Sequence, residues 1–392
     1  LRRRVAVITF IFVFFLGFGR AWASPPEIKA EAAVLMEAET GQVLYAKNPE
    51  EHMYPASTTK ILTALVVLQY ARLNDQIVAS PEAVSTEGSS IWLKEGEKLS
   101  VEDALYALLL NSANDVAVAL AQKVSGSVPA FAQLMNETAK ACGATSSHFT
   151  NPHGLPDPEH YTTALDLARI TRVALGNRFF REIVATKTYT LHRPALPEPF
   201  VLVNHNKLLW RYEGAIGVKT GYTTVAGQCL VAAARRNGRE LIAVVLKSEG
   251  TEVWNDAVKL LDYGFNAFKP VELFKKGEAL GQVGIPGGNR PLLLIAGESF
   301  TYYVPAEGGA FSLPRWQIHL NPLRLPVKAG EGVGEVLVTT GKGEGMKIPL
   351  VAGNAVSLLP FWQRTGGKVI LGVLGLAVGA IYASRRRRKR RL

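Results

Sequence analysis

Two apolar stretches, QCLVAAARR at residues 228–236 and ELIAVVLKS at 240–248, are joined by Asn237-Gly238. Asn-Gly is the strongest short hairpin signal, because a two-residue type I′ turn needs a left-handed backbone at both central positions and these residues tolerate it. The pair therefore predicts two long antiparallel neighbours. GAIGVKTGY at 214–222 has strand character as well, and AAVLMEA (32–38) and QVLYAK (42–47) flank Thr40-Gly41 as an N-terminal hairpin. Helical periodicity fills the interval between them, at residues 57–73, 116–124, 128–141 and 164–175, with an S-x-x-D capping box at Ser100 before ALYALLL. A last helix is expected over 251–268. Strands, helices, strands and a closing helix place both hairpins in one antiparallel sheet with helices on its faces, an α/β domain over 24–268. Past Pro270 the texture changes to short alternating strands with glycine turns, as in GEALGQVGIPGG and GEVLVTTGKGEGMKIPL, which predicts a small all-β domain over 269–357.

Both ends read as addressing segments. Three arginines, an apolar run over 5–18 and then Ala21-Trp22-Ala23 form a signal peptide expected to be cut after Ala23, with an uncleaved anchor as the alternative. At the other end, an uncharged run over 369–384 precedes seven consecutive basic residues, 385–391. This is the pattern of a stop-transfer anchor with a cytoplasmic tail, within an expected anchor region of 358–392. The run covers only about 24 Å as a helix, so Lys368 must snorkel or the flanking glycines must join it; an interfacial anchor is the alternative. The expected location is the outer face of the cytoplasmic membrane.

The formal charge of +11 would ordinarily suggest an anionic polymer as partner. Four of those charges lie in residues 1–23 and seven in the tail, so the exported body is formally neutral, and nucleic acid is excluded as a partner. The tail itself suits anionic lipid. Of the two cysteines, Cys229 lies in an apolar strand and Cys142 at a helix end, which favours two buried thiols over a disulfide. The seven histidines show neither H-E-x-x-H nor Cys/His ligand spacing, so no metal and no cofactor is expected.

Three short motifs carry the chemistry. In MYPASTTKILTAL, Ser57 and Lys60 are one helical turn apart and share a face. Alone, that spacing also describes a capping serine and a snorkelling lysine. In LLLNSANDVAVALA, Ser112 and Asn114 sit at a break between helices; in GVKTGYTTVAGQ, Lys219, Thr220 and Gly221 end a strand. In that order, S-x-x-K, S-x-N and K-T-G are the motifs shared by penicillin-binding proteins and class A β-lactamases.

With FTNPHGLPDPEHYTTALDLA, these stretches resemble the exported serine-type D-alanyl-D-alanine carboxypeptidases among the low-molecular-mass penicillin-binding proteins. The resemblance spans nearly the whole chain, and it implies a serine β-lactamase-like catalytic domain, a small β domain and a C-terminal membrane anchor. The middle motif is S-A-N rather than S-D-N, a position that varies within the carboxypeptidases. The implied activity is release of the terminal D-alanine from peptidoglycan stem peptides, with β-lactams as inhibitors. A β-lactamase-like hydrolase and a non-catalytic penicillin-binding scaffold are the competing readings.

A serine hydroxyl needs a base, and no Ser/His/Asp pattern supplies one, so Lys60 is expected to activate Ser57. Desolvation and the nearby cation of Lys219 would make that amine basic at neutral pH. Ser112 is expected to relay a proton to the leaving amine, Asn114 to hold the substrate amide, and Lys219 with Thr220 and Gly221 to receive the terminal carboxylate. Backbone N–H groups of Ser57 and Tyr222 would face the oxyanion. His153 is expected to shape its loop rather than react, and Glu159 to be a surface residue rather than the water-positioning glutamate of a β-lactamase.

Overall fold

Asn237 and Gly238 adopt φ values of 51° and 81°, the left-handed pair that a type I′ turn requires. The computed structural model describes residues 25–193, 198–306, 314–339, 345–360 and 363. The expected signal peptide and the apolar and basic C-terminal runs lie outside these residues. Among the described residues no helix is long and apolar enough to cross a membrane.

The hairpin is the centre of a five-stranded antiparallel sheet, ordered Val43–Lys47, Ala32–Glu37, Arg239–Ser248, Gly227–Arg236, Ala215–Thr223. The N-terminal strand pairs directly with the late hairpin, from Ala32↔Leu246 to Glu37↔Leu241. Side chains alternate between two separate cores, as the period of a strand demands. Val34, Met36, Val231 and Val244 enter the cluster under the helices. Their neighbours Ala33, Leu35, Leu230 and Val245 pack on the other face, against the closing helix Glu252–Ala267. Both faces are covered, which is why these strands read as nearly continuous apolar runs.

The helical side is organised around Lys60–Tyr70, in which every residue from Lys60 to Val67 is buried. A helix that is apolar on all sides belongs inside a domain. Its expected first turn is a correction: Ala56–Thr59 form a 3-10 helix, and the α-helix begins only at Lys60. Ser57 does not cap it; Thr58 instead ties the turn back to the Pro55 carbonyl at 2.6 Å. Ser100 does cap Val101–Leu110, accepting from the Asp103 N–H at 3.0 Å.

Sequence reasoning omits a helix, Arg178–Ala185, and the hairpin Thr188–Leu191 with Phe200–Val203. The hairpin is short and mostly exposed, and tertiary contacts hold it: Tyr189 stacks on Tyr106 at 3.8 Å and donates to Asp103 at 2.7 Å. Cys229 is buried and Cys142 only half-buried, because Cys142 is the C-cap of Val128–Ala141; both are free thiols.

After Ala267 the chain enters a two-stranded ladder of Phe268–Phe274 with Phe300–Pro305. A second sheet follows, ordered Ala279–Val283, Leu292–Ala296, Gly345–Ala352, Gly332–Thr339, Arg315–Leu320. It has its own core, including Phe274, Leu292, Val336, Ile348 and Leu350. The two domains meet at Tyr303. The Gln42 side-chain amide brackets that residue, donating to its carbonyl at 2.7 Å and accepting its N–H at 2.8 Å, and the Arg239 guanidinium lies 4.0 Å over its ring. Beside this junction a cleft of about 700 Å³ is bounded by Glu39–Val43 strand-turn residues, Arg172, Ser299 and Lys347.

Candidate active site

The change from 3-10 to α-helix at Lys60 sets the first contact. The Lys60 Nζ lies 3.0 Å from Ser57 Oγ, 2.6 Å from Asn114 Oδ1 and 2.7 Å from the His153 carbonyl. Lys60 is fully buried. Burial pushes its pKa well below the ordinary lysine range, the Lys219 charge pushes it further down, and Asp115 partly opposes both. A buried amine with a depressed pKa, 3.0 Å from a hydroxyl, can accept that hydroxyl's proton.

The His153 carbonyl reaches Lys60 because its loop packs directly on the turn that carries Ser57. Gly154 has φ 87°, and a Cβ there would meet the Ala56 carbonyl oxygen at 1.9 Å, so only glycine allows the approach. Asn151 closes the loop by accepting from the Gly154 N–H at 2.7 Å. The His153 ring accepts the Leu155 N–H at 3.1 Å, and burial lowers its pKa to about 3. Its ring is therefore a neutral structural element, and its backbone supplies the contact to Lys60. His160, absent from the sequence reading, is also neutral: burial lowers its pKa to about 4. Its Nδ1 accepts the Thr150 N–H at 3.1 Å, which leaves Nε2–H to donate to Thr59 Oγ1 at 2.9 Å. Glu159 is exposed, and its backbone N–H bonds Asp157 at 2.8 Å.

The second wall is the break between Val101–Leu110 and Asn114–Ser125. Ser112 there has φ 62°, and its buried hydroxyl makes no hydrogen bond among the described residues. A strained non-glycine backbone that holds a hydroxyl in place is a common feature of reactive sites. Asn114 donates to the Glu87 carbonyl at 2.6 Å, so one of its two amide hydrogens is already engaged. Asp115 is a further residue that sequence reasoning missed. Its buried carboxylate accepts from Ser90 Oγ at 2.7 Å and the Leu93 N–H at 3.0 Å, which fixes the 90–93 loop over the motif. The available signal was an acid directly following S-A-N.

The third wall is the edge strand Ala215–Thr223. Lys219 is buried, donates to the Thr220 carbonyl at 3.0 Å, and has its pKa lowered by burial to about 7. A Cβ on Gly221 would stand 2.9 Å from the Ser57 nitrogen and 3.1 Å from that of Thr58, so this glycine lets the strand lie against the serine's turn. Thr220 is half-buried, and the Tyr222 ring is exposed. Lys60 thus touches both Ser57 and Asn114, Lys219 acts on Lys60 through its charge, and the Gly221 position lies against the Ser57 backbone.

Residues 20–250 match the D-alanyl-D-alanine carboxypeptidase family of S11 peptidases, and residues 268–357 match the penicillin-binding protein 5 C-terminal domain. The chain belongs to the D-alanyl-D-alanine carboxypeptidase family. This carboxypeptidase-family chain is 32% identical to D-alanyl-D-alanine carboxypeptidase DacF of Bacillus subtilis (strain 168), over 86% of its own length and 90% of the relative's. It is 32% identical to DacD of Escherichia coli (strain K12), again with 86% and 90% covered. Among solved structures, penicillin-binding protein 5 from Haemophilus influenzae superposes with a TM-score of 0.71 at 29% identity, covering 85% of this chain and 99% of that one. The fold is accordingly that of the penicillin-binding proteins, with a mixed α/β catalytic domain followed by a β domain.

Proposed function

We propose that this carboxypeptidase-family chain is a serine hydrolase that removes the terminal D-alanine from peptidoglycan stem peptides through an acyl-enzyme on Ser57, and that penicillin traps the same serine. The observation that carries this reading is the 3.0 Å contact between Ser57 Oγ and the fully buried Lys60 Nζ. Neutral Lys60 takes the serine proton as Oγ attacks the penultimate D-alanyl carbonyl, and the oxyanion faces the backbone N–H groups of Ser57 and Tyr222. Ser112 passes a proton to the nitrogen of the departing D-alanine. Water then hydrolyses the ester and returns Ser57 to its hydroxyl form. Asn114 holds the substrate amide with its remaining N–H. In the same reading residues 1–23 direct export, 24–268 form the catalytic unit, 269–357 the β unit, and 358–392 attach the protein to the outer face of the cytoplasmic membrane.

Lys219, with Thr220 and Gly221, receives the substrate's terminal carboxylate. A charge-assisted contact of this kind is lost selectively, so Lys219→Ala is expected to lower kcat/KM for a free-acid peptide about 10–100-fold more than for its C-terminal amide. Equal losses on both peptides would remove Lys219 from carboxylate recognition.

The function is tested by following D-alanine release from a D-Ala-D-Ala peptide beside penicillin turnover by the same preparation. Peptide hydrolysis is expected to be fast, and the penicilloyl adduct, seen as a mass increase on Ser57, is expected to persist. Because Glu159 is exposed, Glu159→Gln should alter neither rate. Rapid penicillin turnover that disappears in Glu159→Gln, with negligible D-alanine release, would make the protein a β-lactamase.

A further inference from the structure

The β domain has two unlike ends. One end, with Ser299, Phe300, Met346 and Lys347, borders the catalytic domain across the interdomain cleft. The strand register defines the other. Leu294 pairs with Ala352, Val351 with Gly332, Gly334 with Leu320, and Leu292 with Val283, so the loops 284–291, 321–331 and 353–360 all emerge at the end away from the cleft. Bridges Gly288↔Leu358 and Val327↔Val356 tie those loops together. The loop 353–360 ends at this pole, and Arg364, the apolar run and the seven basic residues follow it in the sequence.

The pole has a distinct surface chemistry. Arg290, Arg324 and Lys328 are exposed and have no ion-pair partner among the described residues, whereas Glu331 is the only acid in the three loops. The Glu331 carboxylate accepts the Lys328 backbone N–H at 2.8 Å. The same three loops also expose Pro286, Pro322, Pro326 and Leu358, the last 47% exposed. A formally neutral exported body that gathers unpaired cations and apolar loop tips where the chain departs toward an apolar, polybasic segment matches one surface. That surface has anionic headgroups over hydrocarbon.

We propose that this pole docks on anionic phospholipid headgroups, making the β domain a second membrane contact. The proposal rests on the reading of residues 358–392 as the membrane attachment, and it adds that Leu358, at the start of that segment, is part of the docking pole. Each cation near an anionic surface strengthens association about fivefold, and three together about 100-fold.

The test uses the full chain with phosphatidylcholine vesicles and with vesicles that also contain phosphatidylglycerol, reading amide hydrogen exchange. Exchange in 284–291 and 321–331 is expected to slow at least about fivefold on the anionic vesicles only, and to recover in high salt. It should also recover in the triple variant Arg290→Glu, Arg324→Glu, Lys328→Glu, whose D-alanine release from a small soluble peptide stays unchanged. Equal exchange on both vesicles, with the protein sedimenting with both, overturns the docking pole while keeping the attachment. Sedimentation with anionic vesicles alone, lost in the triple variant, keeps the pole and overturns the attachment. Sedimentation with neither overturns both.

Discussion

Ser57→Ala is expected to lower kcat for D-alanine release by about 10⁶-fold, the scale on which a serine nucleophile's removal acts, and to abolish covalent penicillin labelling. The fold should survive. Lys60 keeps its contacts to Asn114 Oδ1 at 2.6 Å and to the His153 carbonyl at 2.7 Å, so no buried charge is stranded. The lost hydrogen bond contributes about 1 kcal/mol, which corresponds to a melting shift of about 2–4 °C in a domain of this size. Mass spectrometry after penicillin treatment checks the result. A penicilloyl adduct on another serine in Ser57→Ala would show that Ser57 is not the attacking residue.

Lys60→Arg is expected to slow acylation by about 10⁴-fold, because a guanidinium stays protonated and cannot accept the serine proton. Penicillin acylation near the wild-type rate, in a variant that melts normally, would remove Lys60 as the base. The pH profile gives an independent reading of the same pair. In the proposed role as base, Lys60 acts only when deprotonated; burial and the Lys219 charge lower its pKa, so acylation is expected above that lowered value and should be lost as pH falls through it. In the proposed role as carboxylate receptor, Lys219 acts only when protonated, and burial lowers its pKa to about 7, so kcat/KM for free-acid peptides should fall as pH rises past that value. A bound carboxylate pulls the Lys219 pKa back up, which places the descending limb of kcat at higher pH than that of kcat/KM. For the amide peptide the Lys219 limb should be absent. Identical limbs for acid and amide would separate that titration from Lys219.

Much of the site was legible because its parts are local. S-x-x-K is a one-turn relationship, and any helix beginning near Pro55 brings those two side chains together. Asn237-Gly238 dictated a hairpin, and the two long apolar runs dictated central strands, because turn chemistry and side-chain period act over a few residues. The short exposed hairpin around Tyr189 was not legible in the same way, because its stack on Tyr106 and its bond to Asp103 come from a helix 86 residues earlier in the chain.

The order of the motifs, the paired strands that carry the third of them and the serine–lysine spacing are all local properties, readable along the chain. The groups that surround the Lys60 amine are brought there by packing. The His153 carbonyl, 93 residues away, arrives because Gly154 permits backbone contact with Ala56. Asp115 and Lys219 set opposing fields on the same amine from different walls, and both nearby histidines are held neutral by burial. A lysine's basicity depends on the water excluded around it and on the charges that remain, and both are properties of packed elements rather than of neighbours along the chain.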